Sequence, residues 1–316
     1  MTAPGMVTLV TDYLTLRRGL GFDLVVQGQL LLSFARYAQA SGHVGPITID
    51  LAMRWAESSG SGPDQAARRL AVIRQFARHR VAFDPATEIP SADLFRRPRR
   101  WKPPHVYSDG ETSDLLRAAA ALPPPGGLRP HTYVALFSLL VSTGLRVSEA
   151  RRLTCQDVDL KEGVLVVRET KFRKSRLVPV HVTTTSALSR YTAFRDGCPR
   201  APRSEYFFRT EHAGALKKRT VEGMFSRLSA RMGWTANGRA RRPRIHDLRH
   251  TMVVRRLLRW YAEGADIDRK MLTLATYLGH ANVRNTYWYL SAVPELLAVA
   301  SRRFESFSRS EEEVVR

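Results

Sequence analysis

The sequence predicts a mainly α-helical protein of two domains, with a small antiparallel β-sheet in the second. Three observations carry this. Apolar residues recur at helical spacing through residues 6–80, and most of the chain beyond residue 108 reads the same way. The β-rich strings GVLVVRET and SRLVPVH flank a short connection and read as a hairpin. A basic, proline-containing segment, FRRPRRWKPPH, separates the two helical parts at residues 95–105. With 316 residues, 44% of them hydrophobic, the chain can build a core in each part.

The first domain is expected over residues 1–90. Leu30, Leu31, Phe34 and Ala35, then Leu70, Ile73, Phe76 and Ala77, mark helical faces, and breaks at GFD, SGHVGP and SSGSGP divide the region into about four short helices. Pro63 suits a helix start, where a proline loses no needed N–H bond. Residues 91–107 form the linker. Five of the seven residues from Arg96 to Lys102 are basic, and Pro98, Pro103 and Pro104 prevent helix, so this reads as an extended arm.

The second domain is expected over residues 108–305. Ser108 and Glu111 have capping-box spacing ahead of Leu115 and Leu116. LPPPGGLRP is a surface loop, Tyr133 to Val141 a buried helix that stops near Gly144, and a second helix begins near Val147. The hairpin follows, although Phe172-Arg173-Lys174 lacks the usual Gly or Asn turn signal. EYFFR reads as another short strand, and the rest as helical. Pro294 starts a final segment with Leu296, Leu297, Ala300 and Phe304 on one helical face. Residues 306–316 read as a frayed tail.

Fifty Lys and Arg against 29 Asp and Glu leave a net charge of +21, which makes a polyanion the natural partner. Residues 1–90 hold nine basic and seven acidic side chains, leaving 41 and 22 for the rest, so the basic field belongs to the linker and second domain. The two cysteines, Cys155 and Cys198, make neither a disulfide framework nor a thiolate zinc site. There is no basic-then-apolar leader with a cleavage site and no apolar run of membrane-spanning length, so a cytoplasmic, nucleoid-associated location without membrane contact is expected.

Four strings in the second half carry chemistry: STGLRVSEA with Arg146 and Glu149, ETKFRKSRLVPV with Lys171, IHDLRH with His246 and Arg249, and LGHANVRNTYWYL with His280 and Tyr289. Their order and local sequence closely resemble the tyrosine recombinase (phage integrase) family over roughly residues 108–305, and more loosely before. The resemblance implies a helical core-binding domain followed by an integrase-like catalytic domain. It also implies site-specific cleavage and rejoining of double-stranded DNA through a 3′-phosphotyrosine, by an integrase or transposon recombinase of a mobile element. A homodimer on each site, a homotetramer in synapsis, and an accessory recombinase or DNA-bending protein are its implied partners. No cofactor or metal is called for.

The residue types suit that chemistry. Negative charge grows on the non-bridging oxygens of a phosphodiester under attack, and a guanidinium is permanently cationic with paired donors that match two such oxygens. Arg146 and Arg249 are the candidates, with Glu149 orienting Arg146 from three residues on. His246 and Arg249 also stand three apart and can face one phosphate, whereas His250 is expected to point elsewhere as a packed or hydrogen-bonding residue. Two histidines four apart could instead ligate zinc as in H-E-x-x-H proteases, but Asp247 replaces the general base and the basic charge has no reason there. By its match, Lys171 is the proton donor to the departing 5′ oxygen, with Lys174 the alternative that the RLVPV alignment disfavours. His280 adds a hydrogen bond to the phosphate.

A tyrosine keeps the bond energy for rejoining, because its phenol attacks and later leaves. Tyr289 stands at the family's distance from His280, and Tyr287 points about 200° away on the same helix. Arg96, Arg97, Arg99, Arg100 and Lys102 of the arm, with Arg173 and Lys174 of the hairpin, are candidate DNA-binding residues. Two features depart from the family pattern: the stretch between Arg249 and His280 is long, and the first domain carries no recognisable motif. Two rival readings share the residues, a catalytically reduced DNA-binding partner of another recombinase and a type IB topoisomerase-like relaxing enzyme.

Overall fold

The computed structural model describes residues 4–60, 62–95, 103–168, 175–198, 203–211, 214–235, 242–292, 296–299 and 301. The chain divides into two compact units, Met1–Arg100 and Trp101–Arg316. Among the described residues no helix is long and apolar enough to cross a membrane.

The first unit holds the four expected helices, α1 (Met6–Gly19), α2 (Val25–Ala40), α3 (Ile49–Glu57) and α4 (Pro63–Arg80). Pro63 does open α4, and Thr48 caps α3 by accepting the Leu51 N–H at 3.2 Å. The helices bury one apolar core in which Phe34 meets Trp55 edge-on at 5.4 Å, with Leu51, Leu70, Ile73 and Phe76 fully enclosed. Side chains of this size contribute about 1.5–3 kcal/mol each when fully buried.

In the second unit α5 (Asp109–Ala120) starts at the expected capping box: the Glu111 N–H donates to Ser108 Oγ and the Ser108 N–H to Glu111 Oε2. Helix α6 (Leu128–Thr143) is buried around most of its circumference, packing on α5, α8 (Val182–Asp196) and α10 (Asp247–Ala262). It begins earlier than its apolar run suggests and takes in Pro130, because the N–H groups of a first turn have no intrahelical acceptor to lose. Gly144 ends it in the left-handed region at φ 63°. Helix α7 (Val147–Ala150) is a single turn.

The hairpin is present as β2 (Val164–Val167) and β3 (Arg176–Pro179), antiparallel, with Val167 opposite Arg176. A two-residue strand, β1 (Val158–Asp159), completes a three-stranded sheet in the order β1-β2-β3. EYFFR is not a strand. Tyr206 makes one bridge to Thr154, while Phe207 and Phe208 turn into the core. The long stretch before His280 is accounted for by α10 continuing to Ala262 and by α11 (Ile267–Leu278), capped by Asp266 accepting from the Arg269 N–H. Helices α9 (Lys218–Arg231) and α12 (Arg284–Ala292) follow, and residues 296–299 are helical as expected, with Leu296 buried in the core cluster that holds Tyr289.

Candidate active site

Two left-handed glycines lie at the centre of a cluster of polar side chains. Gly144 closes α6 and Gly279 closes α11, at φ 63° and 66°. A Cβ on Gly144 would require the Met252 methyl to shift, and one on Gly279 would collide with the hydrogen-bonded Arg176 guanidinium, so Gly144 is needed for conformation and Gly279 for space as well. Each turn then offers carbonyls to the arginines around it.

Arg249, on the first turns of α10, is only 3% exposed. Its Nη1 donates to the Gly144 carbonyl at 2.7 Å and its Nη2 to the Leu278 carbonyl at 2.8 Å, joining the ends of α6 and α11. Burial, then the nearby Arg146 charge, pulls its pKa down to about 10, so it stays cationic at neutral pH. Arg146 sits just ahead of α7, half-buried, with Nη2 on the Gly279 carbonyl at 3.2 Å and Nη1 on Glu149 Oε1 at 2.7 Å. Glu149 also accepts the Arg146 backbone N–H at 3.0 Å, so it orients this arginine through main chain and side chain together.

The second holder of Glu149 is Arg176, which sequence reading passed over. Projecting from β3, it donates from Nη1 and Nη2 to both carboxylate oxygens, at 3.2 and 2.9 Å, and from Nε to the Tyr277 carbonyl at 2.8 Å. Burial alone would raise the Glu149 pKa, but the Arg176 hydrogen bonds and charge, followed by those of Arg146, outweigh it and hold the pKa below the usual value. Strand β3 is thereby tied to the arginine motif and to the Gly279 turn.

Three histidines join this cluster. His246 immediately precedes α10, and His250 follows one turn later with its ring edge-on to His246 at 4.9 Å between centroids. His280 follows Gly279, with Nδ1 2.7 Å from the buried Thr286 hydroxyl. Burial, reinforced by neighbouring positive charge, depresses all three to a pKa of about 4, with Arg249 the leading charge for His246 and His280 and the adjoining His246 for His250. Their rings are neutral at physiological pH.

Tyr289 enters from α12 with 3% exposure, and its Oη lies 2.8 Å from His250 Nδ1. Burial pushes its pKa up to about 12, against the opposing charges of Arg249 and Arg146. Tyr287 instead donates to Asp268 at 3.0 Å on the outer side of the helix. The expectation that His250 points elsewhere is therefore corrected: four residues after His246 it lies over the same helical face, one turn up. The sequence signal was the His-x-x-x-His spacing itself.

Of the predicted site residues the structure brings together Arg146, Glu149, His246, Arg249, His280 and Tyr289. Lys171, Arg173 and Lys174 of the hairpin, and Arg96, Arg97, Arg99, Arg100 and Lys102 of the arm, lie outside the described residues.

Residues 111–295 of this helical unit with its short hairpin match the phage integrase family model. The chain belongs to the phage integrase family of tyrosine recombinases, which are site-specific recombinase enzymes. It is 40% identical over 302 residues to Sinorhizobium fredii y4rB, which carries the name of an integrase/recombinase, covering 94% of this chain and 96% of that one. The tyrosine recombinase XerD of Brucella abortus is 29% identical over 264 residues, covering 81% of this chain and 79% of XerD. Among solved structures, the Tn1549 transposon integrase in complex with circular intermediate DNA has the same fold at a TM-score of 0.67 and 17% identity, covering 95% of this chain and all of that one. XerH bound to its palindromic difH substrate matches at a TM-score of 0.63 and 16% identity, covering 88% and 78%.

Proposed function

We propose that this chain cuts and rejoins double-stranded DNA at specific sites through a 3′-phosphotyrosine on Tyr289, as an integrase or transposon recombinase of a mobile element. The observation that carries this reading is the convergence of Arg146 and Arg249 on the cluster that holds Tyr289. In the reaction Tyr289 Oη attacks phosphorus, the 3′ side of the break becomes a phosphotyrosine, and the 5′ oxygen leaves. Both guanidiniums meet the charge that grows on the non-bridging oxygens, in a site where little water screens them. His246 and His280, neutral and able to donate from a ring N–H, add hydrogen bonds to the same phosphate. Lys171 protonates the leaving 5′ oxygen.

The reverse steps rejoin the strand, since a 5′ hydroxyl displaces the phenol without an external energy source. DNA binds as a recombination site occupied by two protomers, and two such sites pair in a tetramer. The first unit grips the duplex, and the basic arm at residues 95–105 follows its phosphates. Retention of every expected residue type supports an active enzyme over a reduced DNA-binding partner. Recombinant product, as opposed to relaxation of supercoils alone, separates this reading from the topoisomerase-like one.

The test is a nicked suicide substrate that traps the covalent complex, resolved on a denaturing gel. Tyr289→Phe should bind DNA normally and form no complex, whereas Tyr287→Phe should form it; the opposite pattern places the nucleophile at 287. Lys171→Ala should cleave about 10²–10⁴-fold more slowly and recover on a 5′-bridging phosphorothiolate, because a thiolate leaves without a proton. Recovery in Lys174→Ala instead would move the acid along the hairpin.

A further inference from the structure

The Tyr289 phenol must shed a proton as it attacks, and none of the roles assigned so far receives it. At a pKa near 12 about one phenol in 10⁵ is ionised at pH 7, so attack needs a base in contact with the oxygen. We infer that His250 is that base: its Nδ1 lies 2.8 Å from Tyr289 Oη, on a ring held between His246 and the α12 aromatics Trp288 and Tyr289. This rests on Tyr289 being the nucleophile.

The geometry favours His250 over its neighbour. His250 Nδ1 is at hydrogen-bond distance from the phenol, whereas the contact described for the His246 ring is with the His250 ring, 4.9 Å between centroids. With Nδ1 unprotonated, the phenol donates to it, which leaves an oxygen lone pair for phosphorus. As the phosphorus–oxygen bond to Tyr289 forms, the phenol proton moves to Nδ1 and His250 becomes an imidazolium. The bond to the 5′ oxygen breaks, and that oxygen takes its proton from Lys171. On rejoining, the imidazolium returns its proton to the departing phenolate, so the proton count closes in both directions.

A weak base can serve here because its strength depends on the substrate. The groups facing His250 are Asp247 and Arg249 on α10, His246 and Arg244 just before it, Tyr289 on α12, and His280 at the turn between α11 and α12. Burial and the cations among them keep the ring neutral and ready to accept. An entering phosphodiester brings an anion beside Arg146 and Arg249, which offsets their repulsion and makes the imidazolium easier to form. Basicity then rises when the DNA is in place.

The experiment follows covalent complex formation on the nicked substrate, with DNA affinity and melting temperature measured on the same samples. In His250→Asn the amide keeps a hydrogen-bonding atom near the Nδ1 position but cannot take a proton. It should cleave about 10²–10⁴-fold more slowly at unchanged DNA affinity. That loss should shrink when a fluorinated tyrosine, whose phenol is more acidic, replaces Tyr289, which a residue that merely holds the ring in place would not produce. His250→Ala with added imidazole, which should restore rate, supplies the same readout if the Asn variant does not fold. Full-rate cleavage by His250→Asn, or an equal loss with tyrosine and its fluorinated form, would overturn the assignment. Covalent product in Tyr289→Phe would instead remove the nucleophile reading beneath it, so the two failures are told apart.

Discussion

Each unit of this chain buries an arginine, and the two are buried for different ends. Arg69, on α4, is 7% exposed and lies over the Trp55 ring of the preceding helix at 4.0 Å, with Nη2 on the Ser58 hydroxyl. Its partners come from one helical hairpin. Arg249 is equally enclosed, but it spans the ends of α6 and α11 through two carbonyls, with Tyr289 from α12 among the groups that act on its charge. Burial of a cation therefore does not mark a site. What marks it is that separate elements converge on the cation through polar groups, so that chain segments distant in sequence meet where a phosphate can be held.

Substituting each arginine is the most forceful way to break this contrast. Arg249→Ala should lower cleavage about 10²–10³-fold, the effect of removing one donor to a developing oxyanion, measured as covalent complex per bound chain. Arg69→Ala should leave that rate alone and cost about 2 kcal/mol of stability in urea unfolding, the worth of a desolvated cation over an aromatic ring. A slowed reaction in folded Arg69→Ala would erase the distinction.

Glycines sharpen it next. Gly42, after α2, has φ 67° with open space around its Cβ position, so Gly42→Ala should cost about 1–2 kcal/mol, the left-handed penalty alone. Gly144→Ala carries the same penalty, requires the buried Met252 methyl to shift, and strains the turn whose carbonyl holds Arg249. It should lose more stability than Gly42→Ala and slow cleavage as well, read by unfolding and suicide-substrate assays together.

Acid separates the units more gently. His246, His250 and His280 move from an ordinary 6.5 to about 4 on folding, so as pH falls the unfolded chain binds their protons first. Their stabilisation is complete above about 6.5 and is lost as pH falls towards 4. Melting temperature should drop across that window, and His250→Asn should flatten the drop. An identical pH dependence in that variant would count against the burial argument for His250.

The arm is tested through binding and not through cleavage or folding. Replacing Arg96, Arg97, Arg99, Arg100 and Lys102 with Gln should weaken specific and random duplexes alike. The slope of log affinity against log salt should flatten by about 0.9 for each phosphate that the arm no longer neutralises. An unchanged slope would return the arm to a solvated tether.

Much of this was legible in the sequence because local rules sufficed. Pro63 and the Ser108–Glu111 pair are helix starts whatever the rest of the chain does. The arginine, histidine and tyrosine strings stand out because each carries several unusual neighbours at once. Arg176 was hidden because its strand runs against expectation: Arg176 and Val178 turn inward while Leu177 is 66% exposed. A charged side chain faces a core only where a partner awaits it, and that partner, Glu149, lies 27 residues away. EYFFR misled for the opposite reason, since β-rich composition can serve core packing with a single bridge and no ladder. His250 was underrated because its significance depends on Tyr289, which lies 39 residues later.

Two guanidiniums, those of Arg146 and Arg176, share the carboxylate of Glu149, and the buried guanidinium of Arg249 lies close enough to feel both cations while resting on two carbonyls. An anion entering beside Arg146 and Arg249 would offset the repulsion between these two cations. Any ligand that binds the folded chain and not the unfolded one raises its stability by RT ln(1 + [L]/Kd). On the proposed function, the melting temperature should therefore rise with the concentration of a short duplex, and that rise would read the affinity without a single bond being cut.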